Sequence, residues 1–361
     1  MIYAYTHFNV GDDLFIKILC ERYPNTRFIL HAPREYKKTF KEINNMHLYP
    51  NDSIFIRGFN YVFRKLHMYN FSQHLIAKTC DLVVHIGGSL FIQNINWRDD
   101  LRNTKALKIK DKPFFLLGPN FGPFHDQAFY LEHRDIFKQY TDICFREKHS
   151  YNLFKDLSNV RLADDIVFQL KKQNVQQTEK SVVISVIKPS IRKSLESYDA
   201  VYYEKISDIT VDLIEKGYNI TLMSFCEFEG DQEAIESIMK LVPTKHSQMI
   251  TKHFYKHNLE DTLNIIARSS FVIATRLHAM ILGWVYNKPV FPIVYNDKMT
   301  YIMSDIGFKG LSSDFKRLHT LKSDQVLKSI EINAIDVSKQ TVSAEKHFEK
   351  LDAYLAINEK G

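Results

Sequence analysis

The chain has 361 residues, of which 45% are hydrophobic and 25% are charged, a composition that excludes disorder, collagen and coiled-coil arrays. Its 48 Lys and Arg exceed its 42 Asp and Glu, so the formal net charge is +6. This small excess predicts no nucleic-acid partner, and it suits a small acidic ligand or peripheral association with an anionic membrane surface. The length predicts about two domains.

Cysteine usage and the N-terminus indicate the compartment. The cysteines are widely spaced and include no Cys-x-x-Cys pair, so neither disulfides nor a zinc site is predicted. The N-terminal MIYAYTHFNVGDD lacks the basic segment of a signal peptide, and no window has the ~20 uninterrupted apolar residues of a membrane span. These features predict a cytoplasmic protein with reduced thiols.

The first half of the chain alternates short apolar runs with longer mixed segments, a pattern that predicts parallel strands connected by helices. One mixed segment, DDLFIKILCERY, places Leu14, Phe15, Ile18 and Leu19 at helical spacing. The predicted strands are residues 1–7, 27–32, 53–58, 81–88, 112–118 and 141–147.

A polar segment, KKQNVQQTEK, interrupts this pattern, which then restarts. The predicted strands after it are residues 181–187, 219–225, 270–276 and 289–295. The predicted helices are about 199–216, a helix that begins at Gly230-Asp231, about 259–268, and 278–286. The chain ends in an amphipathic helix that places Phe348, Leu351, Tyr354 and Leu355 on one side.

These patterns predict an α/β protein of two doubly wound Rossmann-like domains that face each other across a cleft. The predicted boundaries are 1–170 for the N-terminal domain, 171–180 for the linker, 181–342 for the C-terminal domain and 343–361 for a C-terminal helix. Ligands of such sheets bind beyond the carboxyl ends of the strands, so we expect the functional residues there.

The first candidate segment, Asn9-Val10-Gly11-Asp12-Asp13, follows the first predicted strand and opens a helix. Gly11 permits a tight turn, and either Asp12 or Asp13 can cap the helix. An acidic residue here can also face the cleft and accept a proton from a hydroxyl group. Both interpretations remain open.

Two glycine-containing loops follow later strands. Gly87-Gly88-Ser89 lets the backbone approach a ligand closely, although a tight strand-to-helix turn explains it equally well. It is neither a GxGxxG nor a P-loop sequence, so it predicts no dinucleotide or ATP site. The second loop, GPNFGP, is more rigid and presents Asn120.

Cationic side chains follow three strands. Arg146 can either form a surface ion pair, for example with Glu147, or grip a carboxylate or phosphate in bidentate fashion. Arg276 and His278 flank Leu277 at the start of a very apolar helix, where they offer an anion clamp and a proton donor together. Lys298 follows the strand after that helix and can supply a further cation.

Taken in order, these segments resemble the polysaccharide pyruvyl transferase family over almost the whole chain. The most specific part is the RLHA segment together with PVFPIVYNDK. The matching pieces are NVGDD at 9–13, GGS at 87–89, GPNFGPF at 118–124, FREKHS at 145–150, ADD at 163–165, EGD at 229–231, TRLHA at 275–279 and YNDK at 295–298.

The resemblance implies a GT-B-like fold and the transfer of the enolpyruvyl group of phosphoenolpyruvate onto two hydroxyls of a sugar, with release of phosphate. It implies that the donor site lies in the C-terminal domain, at Arg276, Leu277 and His278, and that Arg146 contributes from the N-terminal domain. The N-terminal domain would otherwise take the acceptor, with Asn9, Gly11, Gly87, Gly88, Ser89 and Asn120 as acceptor or loop residues. Many relatives have a third glycine and an Asp in the loop where this chain has Ser89 and Phe91.

The chemistry of this reaction agrees with the residues. Phosphoenolpyruvate carries close to three negative charges, which Arg276, Arg146 and Lys298 can meet. His278 is the candidate general acid, because its ordinary pKa lies near 6.5. Asp12 or Asp13 is the candidate base for the acceptor hydroxyl. The scheme requires no metal and no cofactor, since phosphoenolpyruvate is a co-substrate.

The expected acceptor is a sugar or a lipid-linked oligosaccharide, which would place the enzyme in the cytoplasm or at the inner face of a bacterial membrane. The synthesis of exopolysaccharide, capsule or cell-wall glycan would use such a reaction. Two alternatives remain: a GT-B glycosyltransferase that uses a nucleotide sugar, and a non-catalytic glycan-binding assembly protein. A glycosyltransferase of this fold commonly holds ribose and diphosphate with acidic and basic residues of its C-terminal domain, whereas the strand ends here offer RLH and NDK, which disfavours this alternative. The cationic strand ends disfavour the non-catalytic protein, because glycan binding uses aromatic platforms and hydrogen bonds rather than converging arginines.

Overall fold

The computed structural model describes residues 1–66, 68–172 and 175–358. These residues form two compact units. Unit 1 contains Met1–Thr6, Leu14–Gln169 and the described residues from Thr341 onward, and unit 2 contains His7–Asp13 and the described residues of 170–340.

Two short segments are therefore divided differently from the predicted boundaries. The NVGDD segment belongs to unit 2, and the C-terminal segment packs within unit 1, where Arg22 Nη2 lies 2.6 Å from Asp352 Oδ2. Gln173 and Asn174 of the predicted linker lie outside the described residues. The predicted roles of the two domains stay predictions.

Unit 1 is built on a parallel sheet with the strand order β3-β2-β1-β4-β5-β6-β7. Its central strands are buried along their whole length, because helices cover both faces of such a sheet. The strands are β1 (Ile2–Tyr3), β2 (Phe28–Ala32), β3 (Met46–Pro50), β4 (Val83–Ile86), β5 (Phe114–Leu117), β6 (Asp142–Phe145) and β7 (Val160–Leu162).

The helices of this half follow the strands in the order expected for a doubly wound fold. They are α1 (Val10–Arg22), α2 (Tyr36–Thr39), α3 (Ile54–Lys65), α4 (Phe71–Lys78), α5 (Trp97–Lys105), α6 (Gln127–Phe137) and α7 (Lys148–Phe154). The predicted apolar face of α1 is confirmed, since Leu14, Phe15, Ile18 and Leu19 are all buried.

Unit 2 contains a second parallel sheet, with the strand order β10-β9-β8-β11-β12-β13. This is the 3-2-1-4-5-6 order of the Rossmann fold. The strands are β8 (Ser181–Ser185), β9 (Asn219–Met223), β10 (Ile250–His253), β11 (Phe271–Ala274), β12 (Val290–Val294) and β13 (Ser313–Asp314).

Helices alternate with these strands as well. They are α8 (Asp199–Glu215), α9 (Asp231–Leu241), α10 (Thr244–Ser247), α11 (Leu259–Arg268), α12 (Leu277–Val285), α13 (Asp297–Asp305) and α14 (Ser323–Ile332). The C-terminal segment forms α15 (Ser338–Glu345) and α16 (Glu349–Asn358), with a short 3₁₀ turn, Lys346–Phe348, between them. It is thus two helices rather than the single amphipathic helix predicted.

One predicted strand is wrong. Residues 53–58 lie in helix α3 instead, and the third strand of the sheet is Met46–Pro50. The predicted strand covers only six residues, too few to distinguish a period of 2 from a period of 3.6. The longer pattern Phe55, Phe59, Val62, Leu66 has the helical period.

The strand order reverses beside the first strand of each sheet, between β1 and β4 in unit 1 and between β8 and β11 in unit 2. Ligands of open α/β sheets bind at such switch points. Gly87-Gly88 follows β4, and Thr275-Arg276 follows β11. The topology therefore places two of the predicted segments where ligands are expected.

No helix among the described residues combines the length and the apolar character that crossing a membrane requires. The four cysteines are buried free thiols.

Candidate active site

The backbone between β11 and α12 is fixed by a serine from the neighbouring strand. Ser185 Oγ accepts hydrogen bonds from the amides of Thr275 and Arg276, at 3.1 and 3.2 Å. Arg276 is the N-cap residue of α12, and Leu277 is buried. This junction holds Arg276 and His278 on a rigid turn at the switch point.

Arg276 is buried and paired with two carboxylates of unit 2. Its Nε donates to Asp231 Oδ2 at 3.0 Å, its Nη2 donates to Asp231 Oδ1, and its Nη1 donates to Glu229 Oε2 at 2.5 Å. Both acids come from the EGD segment, to which the sequence assigned no role. A direct grip of phosphoenolpyruvate by Arg276 stays a prediction, and the geometry shows that this guanidinium already holds carboxylates.

A second arginine shares one of these acids. Arg192 Nη2 also donates to Glu229 Oε2. Burial alone would raise the pKa of Glu229, but Arg276, Arg192 and, to a smaller extent, Lys298 outweigh burial and lower this pKa to about 2. Burial disfavours the charged form of Arg276, but Asp231 and Glu229 raise its pKa well above the ordinary value. Burial raises the pKa of Asp231, although its ion pair with Arg276 opposes this shift.

His278 lies against the backbone of Gly11. A Cβ atom added at Gly11 would overlap the imidazole ring of His278, so only glycine allows this approach. Asn9 Oδ1 accepts a hydrogen bond from the Gly11 amide at 3.0 Å, which shapes the turn. The structure thus brings together the NVGDD and RLHA segments, the first and the seventh of the eight matching pieces.

The loop after β9 holds the NVGDD segment in place. The Val10 amide donates to the Phe225 carbonyl at 3.1 Å, and Asn9 forms a β-bridge with Cys226. The amides of Phe225 and Cys226 in turn donate to Asp231 Oδ2, at 2.8 and 2.9 Å. Asp231 therefore connects Arg276 to the loop after β9, which pairs with Asn9 and Val10.

The two aspartates of the segment differ in exposure. Asp13 is fully buried, and its Oδ2 accepts a hydrogen bond from the hydroxyl of Tyr255 at 2.5 Å. Asp12 is half-buried. Of the two, Asp12 is therefore more accessible to a substrate hydroxyl, while Asp13 joins the helix start to buried Tyr255.

Lys298 lies in the first turn of α13, directly after β12, and is half-buried. Its effect on the pKa of Glu229 shows that its positive charge is close to the cluster of acids and arginines. The structure thus gathers Asn9, Gly11, Asp12, Asp13, Arg276, Leu277, His278 and Lys298 in unit 2.

In unit 1, Arg146 lies in a buried cluster with Gly88 and Asn120. Its Nη1 donates to Asp165 Oδ2 at 2.8 Å, and its Nη2 donates to Asn120 Oδ1 at 2.7 Å. A Cβ atom added at Gly88 would lie 2.5 Å from Arg146 Nη1. The Asn120 amide donates to the Gly88 carbonyl at 2.8 Å.

The carboxylate of Glu147 caps helix α7, where it accepts from the Ser150 amide at 3.0 Å. Arg146 pairs with buried Asp165 instead, so its ion pair is not on the surface. Ser89 is exposed, and its hydroxyl lies 3.4 Å from Asn120 Oδ1. Gly87 has a φ of 155°, which suits glycine.

Sequence reasoning missed the partners of both arginines. Asp165, Glu229 and Asp231 lie in the ADD and EGD segments, which were part of the resemblance but carried no assigned role. Arg192 and Tyr255 lie in segments without any motif. In the part of the chain that the structure describes, no group of three or more His, Cys, Asp or Glu side chains could hold a metal ion.

A family model for polysaccharide pyruvyl transferases matches residues 9–297, which include the NVGDD, GGS, EGD and RLHA segments. The chain belongs to the polysaccharide pyruvyl transferase family.

One curated relative is the amylovoran biosynthesis protein AmsJ of Erwinia amylovora, which is 22% identical over 262 residues. The match covers 67% of this chain and 63% of that protein, so the chain spans less than two thirds of the relative's length.

Solved structures show the same fold. UDP-GlcNAc 2-epimerase from Methanocaldococcus jannaschii matches with a TM-score of 0.61 and 10% identity, over 94% of this chain and 96% of that one. The enzyme from Neisseria meningitidis matches with a TM-score of 0.57 and 8% identity, over 96% of both chains. The predicted α/β fold of two doubly wound Rossmann-like units of the GT-B type is confirmed, and at this identity the likeness shows the fold alone.

Proposed function

We propose that this protein transfers the enolpyruvyl group of phosphoenolpyruvate onto two hydroxyls of a sugar, forming a pyruvate ketal and releasing phosphate. One observation carries the proposal: the ring of His278 lies against Gly11 at the start of the segment that contains Asp12. This contact supports a pairing of His278 as proton donor with Asp12 as base, beyond the carboxyl end of β11. Family membership supports the class of reaction.

The reaction balances as follows. His278 donates a proton to C3 of phosphoenolpyruvate, and positive charge develops at C2. A sugar hydroxyl attacks C2 and loses its proton to Asp12, the more accessible of the two candidate bases. Phosphate then leaves C2 with its bridging oxygen, and the second hydroxyl attacks C2 and gives its proton to the released phosphate. The ketal forms with one proton gained at C3 and two lost from the hydroxyls.

Positively charged and amide groups near the start of α12 support the proposed binding of the anionic donor. The amide groups at the start of α12 and the side chains of His278 and Lys298 attract the carboxylate and phosphate of the donor. Arg276 fixes the turn that carries His278 through Asp231 and Glu229, and a direct contact from Arg276 to the donor remains part of the proposal. Arg146 retains its predicted role as a donor contact from unit 1.

The acceptor in this proposal is a sugar or a lipid-linked oligosaccharide of a bacterial polysaccharide, and the reaction takes place in the cytoplasm. The reaction uses no metal and no organic cofactor. The name of the relative AmsJ, an amylovoran biosynthesis protein, supports a polysaccharide pathway.

The test is release of phosphate from phosphoenolpyruvate in the presence of a panel of soluble and lipid-linked sugars, with mass spectrometry of the product. We expect phosphate release that depends on the acceptor, and a product mass raised by one pyruvyl ketal group. Sugar transfer from a UDP- or GDP-sugar, without phosphate release from phosphoenolpyruvate, would establish the glycosyltransferase alternative instead. Glycan binding without any turnover would establish the non-catalytic one.

A further inference from the structure

Helix α3 of unit 1 exposes large apolar side chains to solvent. None of its residues is buried. The exposed fraction is 84% for Ile54, 89% for Phe55, 61% for Tyr61 and 55% for Val62. Helices of globular proteins are normally stabilised by burying an apolar face, and contiguous exposed apolar surface marks an interaction site.

The helix is attached to α4 mainly by another side, although Phe59 also lies near Phe71, with ring centroids 5.6 Å apart. Phe63 stacks on Phe71 of α4, with ring centroids 4.0 Å apart, and Ile56 and Asn60 on the same side are half-buried. Phe55, Phe59, Val62 and Leu66 follow one another at intervals of four, three and four residues, so they form a single stripe along the helix. The attachment to α4 leaves much of this stripe facing solvent: Leu66 is 63% exposed.

The charged residues within the segment that contains α3 and α4 are all cationic. From Ser53 to Cys80 the sequence contains no Asp or Glu, and it contains Arg57, Arg64, Lys65 and Lys78. All four cationic residues are exposed. Arg64 lies 3.6 Å from Asp99 of α5, and Lys65 lies over the ring of Tyr61, 4.8 Å from its centroid. Long cationic side chains of this kind extend from an apolar face to phosphate headgroups.

We propose that the α3 surface, formed by Ile54, Phe55, Tyr61, Val62, Leu66, Arg57 and Lys65, docks on an anionic phospholipid bilayer. A 12-residue helix is about 18 Å long, too short to cross a bilayer, so α3 lies in the plane of the interface with its apolar side chains among the headgroups and upper acyl chains. Anionic lipids neutralise Arg57 and Lys65. A second copy of the chain docked face to face would instead bring these like charges together.

The apolar contribution is tested by co-sedimentation of the full chain with phosphatidylcholine vesicles that contain or lack phosphatidylglycerol. We expect the wild type to bind the vesicles that contain phosphatidylglycerol. The double variant Phe55→Ser/Val62→Ser should bind at least about tenfold more weakly. The matched control is Leu131→Ser/Val342→Ser, which removes two exposed apolar side chains from other helices of unit 1 and should bind like the wild type.

The charge contribution is tested with Arg57→Gln/Lys65→Gln. Each cation removed should weaken binding to the anionic vesicles by about fivefold, and added salt should weaken wild-type binding in the same direction. The control Lys37→Gln/Lys38→Gln removes two exposed charges from α2 and should bind like the wild type.

Three outcomes would overturn the proposal. They are equal binding by the wild type and both α3 variants, equal binding of the wild type to vesicles with and without phosphatidylglycerol, and self-association through α3 without any vesicle binding. Thermal unfolding of each variant shows whether it is folded. Because every substituted side chain is exposed, we expect unchanged unfolding temperatures.

Discussion

Each unit buries one arginine beyond the end of a parallel strand, but the two arginines have different surroundings. Arg146 in unit 1 donates hydrogen bonds to the carboxylate of Asp165 and to the amide oxygen of Asn120. Arg276 in unit 2 donates to two carboxylates, one of which it shares with Arg192. The network around Arg276 also holds the loop beside Gly11.

The glycines show a parallel difference. Gly88 lets a guanidinium approach the backbone, and Gly11 lets an imidazole do so. In both units, a glycine lets a functional side chain lie against the backbone, but the two side chains differ in their chemistry. A permanently charged group is suited to holding an anion, whereas a group that titrates near neutral pH is suited to moving a proton. We therefore place the proton transfer in unit 2.

The largest expected effect is a loss of stability, and its size should differ between the two arginine clusters. Asp165→Asn should lower the free energy of unfolding by about 3–5 kcal/mol, because it breaks a fully buried ion pair with Arg146. Asp231→Asn should cost less, about 2–3 kcal/mol, because Glu229 still compensates Arg276. Denaturant unfolding measures both variants.

The control for these variants is Asp156→Asn. Asp156 is 60% exposed and pairs with Arg134 on the surface of unit 1, so its loss should leave the free energy of unfolding almost unchanged. A greater loss of stability from Asp231→Asn than from Asp165→Asn would show that the second carboxylate does not protect unit 2.

The next effect concerns activity. Gly11→Ala forces the ring of His278 to move, and we expect phosphate release from phosphoenolpyruvate to fall by about 100-fold, mainly in kcat, since displacement of a reacting group by about 1 Å has an effect of this size. Gly88→Ala shifts Arg146 and should lower activity by about tenfold, mainly through KM.

Gly58→Ala is the matched substitution, because a Cβ atom at Gly58 meets open space. Measured with a soluble acceptor and without membranes, it should retain wild-type activity. Wild-type kcat in Gly11→Ala would show that the close approach of His278 to Gly11 has no part in catalysis.

The next effect is the pH dependence of stability. Burial lowers the pKa of histidines in both units, and His7 and His253 of unit 2 are among them. Burial lowers the pKa of His85 to about 3 and that of His133 and His347 to about 4, and all three lie in unit 1. In the unfolded chain these groups bind protons below about pH 6.5, whereas in the folded chain they do so only near their lowered pKa values. The unfolded state thus binds more protons between about pH 6.5 and 4, so stability is present above this window and is lost as the pH falls through it.

We expect His133→Gln to reduce this loss by up to about 1.4 kcal/mol per pH unit within the window. Denaturant unfolding at several pH values measures the slope. His319→Gln, at an exposed position of unit 2, should leave the slope unchanged. An identical slope in the wild type and His133→Gln would contradict the lowered pKa of His133 in the folded chain.

The smallest effect concerns the bond between Tyr255 and Asp13. Tyr255→Phe removes a hydrogen bond to a buried carboxylate, and we expect a loss of about 1–2 kcal/mol of stability. Because Asp12 rather than Asp13 is the proposed base, kcat should change by less than about threefold. The exposed Tyr49→Phe is the control. A loss of kcat as large as that expected for Gly11→Ala would assign the base to Asp13.

The strands that the sequence predicted correctly and those it missed have different positions in the sheets. The interior runs such as FFLL and FVIA are continuous and apolar, because both faces of the sheet are covered. The four missed strands, β3, β7, β10 and β13, are the edge strands of the two sheets. Edge strands are short and partly exposed, as the half-exposed β3 shows, so their sequences carry little apolar signal.

The candidate site could likewise be predicted only in part from the sequence. The motifs identified Arg146, Arg276 and His278 because arginine and histidine at strand ends are chemically distinctive. Their partners Asp165, Asp231 and Tyr255 could not be predicted from the residues alone, because the sheet topology brings them together from distant parts of the sequence. The approach of His278 to Gly11 likewise requires residues 7–13 to pack within unit 2, whereas their neighbours in the sequence belong to unit 1.

The measurement that tests the central claim most directly is phosphate release from phosphoenolpyruvate by His278→Ala, with a sugar acceptor that the wild type pyruvylates. His319→Ala is the control, since His319 is an exposed histidine of the same unit. If His278 donates the proton to the enol carbon, His278→Ala should lose at least about 100-fold in kcat while His319→Ala retains full activity. Near-wild-type phosphate release by a folded His278→Ala variant would contradict the account.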